Sequence, residues 1–84
     1  MKKAEKIEKA IKIFEQCHFK RVNTLYENTY IFKHTHFDEK IIFHKGSYVN
    51  VTTGKPNREF YLYMEELEAI MLMAKALKIK RLRD

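Results

Sequence analysis

Ten of the eleven aromatic side chains in this chain of 84 residues fall between Phe19 and Tyr63. Aromatic residues pack well on a pleated surface, so their confinement to the middle places a sheet there. The segments on either side carry helical periodicity instead. One sheet with a helix at each end is what so short a chain has room for, and it would bury roughly 60–65% of its unfolded surface.

Residues 4–18 read as an amphipathic helix, with Ile7, Ala10, Ile11, Phe14 and Cys17 at the three-and-four spacing of one face. Lys20–Tyr26, Thr29–His36, Lys40–His44 and Ser47–Thr53 are short runs rich in Val, Ile, Thr, Tyr and Phe. Glu27-Asn28 and Lys45-Gly46 suit tight turns, and TTGKPNRE, with the only proline, reads as a loop. Phe60–Tyr63 follows as a fifth short strand or an extended entry into a second helix over residues 64–80. The expected fold is one compact α+β domain over residues 1–84: a helix, an antiparallel sheet of four to five short strands and a C-terminal helix, both helices packed on one sheet face.

The second helix is apolar nearly all round. Leu67, Ile70, Met71, Ala74 and Leu77 make one face, and Ala69, Leu72, Met73, Ala76 and Ile79 an adjoining one. One face covers the sheet; the other is hidden by the first helix or offered to a partner.

The net charge of +6 sits at the chain ends: residues 1–12 carry +3, residues 75–84 carry +4, and the middle carries −1. The lone Cys17 cannot close an intramolecular disulfide, the N-terminus lacks a secretory apolar stretch, and no apolar run is long enough to span a bilayer. The expectation is a cytoplasmic protein that does not engage membrane. Thirteen lysines against four arginines, with abundant isoleucine, suggest AT-rich coding of a bacterial or phage kind.

Chemistry-bearing motifs are sparse. His34 and His36 share a strand face by alternation. A two-residue loop at Asp38-Glu39 would pair His34 with Phe43 and turn His44 away. A three-residue loop Asp38-Glu39-Lys40 would pair His34 with His44 and gather three histidines of the kind that hold catalytic zinc. No CxxC or HExxH pattern accompanies them, so a hairpin is the first reading and no metal or cofactor is expected. Cys17 and His18 are helix neighbours that diverge by about 100°, which does not make a nucleophile–base pair. The string TTGKP lacks the other residues of a phosphate-binding loop. An enzyme is not expected.

The order helix–strands–helix resembles that of the double-stranded-RNA-binding domain, whose second helix starts with lysines that grip phosphate. Here the matching segment is Glu65-Glu66-Leu67-Glu68, so that function is not carried over. Lys45–Val51 is faintly similar to the RNP1 signature of RNA-recognition motifs, with its aromatic and small residues out of place.

Two binding functions are left. The first is a regulatory module or homodimer making protein contacts through Tyr61, Tyr63, Met64, Leu72, Met73 and Ala76, since methionine-rich faces adapt to partners. The second is nucleic-acid binding by Lys75, Lys78, Lys80, Arg81 and Arg83 together with the lysines of the first helix. These two groups merge into one patch only if the helices pack antiparallel.

Overall fold

The computed structural model describes residues 2–53 and 62–83. Its elements are α1 (Lys3–Gln16), β1 (Phe19–Val22), β2 (Thr29–His34), β3 (Glu39–His44), β4 (Tyr48–Thr53), α2 (Met64–Ala76) and β5 (Arg81–Arg83). The sheet runs in chain order β1-β2-β3-β4-β5, antiparallel up to β4, and both helices pack on one face of it. The expected α+β architecture is the one observed.

The core lies where alternating strand residues meet the helices. Phe19, Phe32, Ile41, Phe43 and Val49 point inward from four strands, and α1 supplies Ala10 and Phe14. Phe14 is the hub, its ring centroid 4.4 Å from that of Phe32, 6.0 Å from Phe19 and 5.9 Å from Phe43. Such aromatic contacts contribute about 0.5–1.5 kcal/mol each beyond their buried area. From α2, Ala69, Ile70, Met73 and Ala76 close the core, followed by Leu77. The face carrying Ala69, Met73 and Ala76 is thus hidden inside the fold.

Both of the first two hairpins differ from expectation. In the β2–β3 hairpin Phe32 pairs with Ile41 and Lys33 with Lys40, so the loop is Thr35–Asp38 and neither shorter register forms. Glu39 is buried on the core face and opens β3, while β2 already stops at His34, which leaves four residues to the loop. Likewise β1 stops at Val22, and Asn23–Asn28 replaces the tight turn expected at Glu27-Asn28.

The second helix ends at Ala76, not at residue 80. Lys78 takes a positive φ of 54°, its N–H bonds the Lys75 carbonyl, and the Ile79 N–H bonds the Ala74 carbonyl at 2.9 Å. This is the paired bonding of a left-handed helix stop, here with lysine where glycine is usual. The chain then returns along β4: Lys80 N–H reaches the Ser47 carbonyl, and β5 pairs with β4 in parallel. The fifth strand therefore lies after α2. Leu62 and Tyr63 lead into that helix, and Gly54–Tyr61, which include most of the expected TTGKPNRE loop, lie outside the described residues.

The β3–β4 turn lies where Lys45-Gly46 marked it, with one more residue. Gly46 takes φ 73°, Ser47 N–H bonds the His44 carbonyl, and Gly46 N–H bonds the Leu77 carbonyl. That last contact ties this turn to the end of α2.

Candidate functional site

The helices run antiparallel. Lys9 pairs with Glu68 across the helix interface at 3.8 Å, the start of α1 feels Lys78 beyond the end of α2, and Cys17 beyond the end of α1 feels Glu66 and Glu65. The start of α1 consequently lies beside the end of α2, and the β3–β4 turn adds Lys45.

Three cations from three elements converge there. Lys3 is held below its ordinary pKa, first by the Lys45 ammonium within hydrogen-bonding reach and of like charge, then by slight desolvation and by Lys78. Two ammonium groups have donors and no acceptor to share, so an anionic oxygen between them would satisfy both. Lys75 and Lys80 are exposed nearby along the chain, as is Lys2, and Lys6 is half-buried. Arg81 and Arg83 take ladder positions beside Tyr48 and Asn50. Lys45 is the member that the charge profile missed, because it belongs to the neutral middle of the sequence.

The opposite end of the helix pair gathers acidic groups. Glu66 is buried at the start of α2, with the Tyr63 backbone N–H bonding its carboxylate from the N-cap position. Burial, and then Glu39, push the Glu66 carboxyl above its ordinary range despite that bond, and Glu65 adds to the rise. Burial also raises the Cys17 thiol, helped by Glu66 and Glu65, so this cysteine is a poor nucleophile packed against the core.

The histidines cluster, but not as a three-residue loop would place them. His44 pairs with Thr29 at the far end of the hairpin. His18, with φ 68° just past α1, joins His34 and His36 instead, the three ring centroids being 5.4–6.2 Å apart. His34 Nδ1 accepts the backbone N–H groups of His36 and Phe37 at 3.0 and 3.1 Å, so that nitrogen holds the loop and is not open to a ligand. Among the described residues no group of three His, Cys, Asp or Glu is placed to hold a metal ion.

The residues expected to make protein contacts divide. Tyr61 lies outside the described residues; Tyr63 and Met64 are more than 70% exposed. Leu72 is half-buried, and Met73 and Ala76 are buried in the core. The exposed apolar face of α2 is instead Met64, Leu67 and Met71, one face by the three-and-four rule.

Among the described residues no helix is long and apolar enough to cross a membrane. No protein-family model matches the chain, and neither a curated protein nor a solved structure is significantly similar to it.

Proposed function

We propose that the protein binds nucleic acid through the basic end formed by the start of α1, the β3–β4 turn and the residues after α2. The convergence of Lys3, Lys45 and Lys78 carries this reading. Cations from three separate elements meet where Lys45 and Lys78 disfavour the charge of Lys3, and a phosphate backbone would relieve that repulsion while releasing its own counterions. The acidic start of α2 is at the other end of the helix pair. Phosphate contacts of this kind position the ligand and carry no sequence information.

Fluorescence anisotropy with labelled random-sequence DNA and RNA, across a salt series, tests it. Binding that weakens linearly in log salt, with a slope of about −2 to −3 for some three phosphates, supports the reading. Failure to bind at low salt returns the lysines to a solvated surface.

A second reading rests on Met64, Leu67 and Met71: a protein partner or second copy docked on the exposed face of α2. Sedimentation of wild type and Met71→Glu tests it. Association abolished by the substitution supports it, and a wild-type monomer leaves only a foreign partner for that face.

A further inference from the structure

The sheet face turned away from the helices is assembled from rows of like side chains that only the strand register reveals. Lys20 pairs with Lys33 and Lys33 with Lys40, so three exposed ammonium groups cross three neighbouring strands in one line. Glu39, next to Lys40, is buried on the opposite face. Like charges directly opposite one another destabilise a sheet, so the row is a standing demand for an anion.

The next row is apolar. Val22 pairs with Ile31, and Ile31 with Ile42, and these half-exposed side chains make a floor without charge. One row further, His44 and Tyr48 stack across the β3–β4 turn with ring centroids 4.3 Å apart. That stack lies about 13 Å from the lysine row along the strands. It is on the side of Lys45 and hence of the basic end. Between Lys20, Val22, Lys33 and Thr35 the surface dips into a depression of about 230 Å³, smaller than a drug-sized pocket.

We infer that this face is a track for single-stranded nucleic acid, which rests on the nucleic-acid reading of the basic end and extends it. Phosphates would lie against Lys20, Lys33 and Lys40, while bases would lie on Val22, Ile31 and Ile42 and stack on the Tyr48–His44 pair. A positive row beside an apolar and aromatic floor is complementary to a strand whose base faces are free. A duplex hides those faces and would meet only the charges. A second copy of this chain would bring a second lysine row against the first.

The experiment compares affinities for a labelled oligothymidylate, an oligouridylate and a mixed-sequence duplex of equal length, using the full chain. Lys33→Glu and Tyr48→Ala are each expected to weaken single-strand binding roughly tenfold, the first also flattening the salt slope by about one unit. Duplex binding should hardly change for Tyr48→Ala. Lys33→Glu places a carboxylate between two lysines and is expected to stay folded, and Lys33→Gln guards against a new repulsion with the ligand. Tighter binding of either single strand than of duplex, lost in these variants, supports the track, and the preferred strand identifies it as DNA or RNA. Equal binding of duplex and single strand, unchanged by both substitutions but lost in Lys3→Gln/Lys45→Gln, overturns the track and leaves the basic end standing. No binding of any of the three at low salt overturns both.

Discussion

Lys33 stands directly opposite Lys40 in the β2–β3 ladder, both on the sheet face that no helix covers, with Lys20 opposite Lys33 on the other side. Replacing the middle charge should therefore stabilise the fold. Lys33→Glu is expected to raise the thermal midpoint by a few degrees at low salt, with the gain shrinking at high salt, as followed by circular dichroism. A lowered midpoint would show that the row is not repulsive.

Glu66 has the opposite kind of misfit, a carboxylate 4% exposed and raised above its ordinary range by burial and by Glu39. A carboxyl with a raised folded pKa binds its proton more tightly when folded than when unfolded. Its contribution favours folding at low pH and is lost as pH rises from about 4.3 through the raised folded value. Glu66→Gln keeps an acceptor for the Tyr63 N–H and removes the charge. The variant should gain stability over wild type at pH 7, and the gain should disappear near pH 4 in urea melts.

Met71 and Met73 are two positions apart on α2 and should behave in opposite ways. Met73 has no exposed surface; truncation to alanine should cost about 2–5 kcal/mol, and Met73→Glu should unfold the chain. Met71 is 52% exposed, so Met71→Glu should leave the urea midpoint nearly unchanged. Equal losses at both sites would place the exposed face of α2 inside the fold.

Lys78 closes α2 in a left-handed conformation that costs a side chain and costs glycine nothing. Lys78→Gly is expected to stabilise by roughly 0.5–1 kcal/mol in denaturant unfolding while weakening nucleic-acid binding. Stability and affinity moving the same way would contradict the assignment of Lys78 to the basic end.

Much of the architecture was legible because local signals agreed. The stripe Ile7–Ala10–Ile11–Phe14 gave α1 its buried face, and the crowd of aromatics from Phe19 onward placed the sheet that Phe14 packs on. The end of α2 was not legible, because the residue that stops it is Lys78 where glycine would have marked the stop, and Leu77 and Ile79 continue the apolar pattern beyond it. The hairpin register depended on Glu39 entering the strand and the core, against the usual preference of a carboxylate for water, and with the register went the partners of His34. Charge counting along the chain made the middle neutral. Only pairing shows that Lys20, Lys33 and Lys40 line up on one face with Glu39 on the other, and only the turn geometry brings Lys45 to Lys3.

The salt dependence of binding to labelled single-stranded oligonucleotide tests the central claim most directly, measured for wild type and for the Lys3→Gln/Lys45→Gln/Lys78→Gln variant. Each lost phosphate contact should flatten the slope by about one unit, so the variant is expected to bind more weakly with a slope shallower by about two to three. A slope and affinity identical to wild type, in a variant that remains folded, would contradict the assignment of this end of the molecule to nucleic acid.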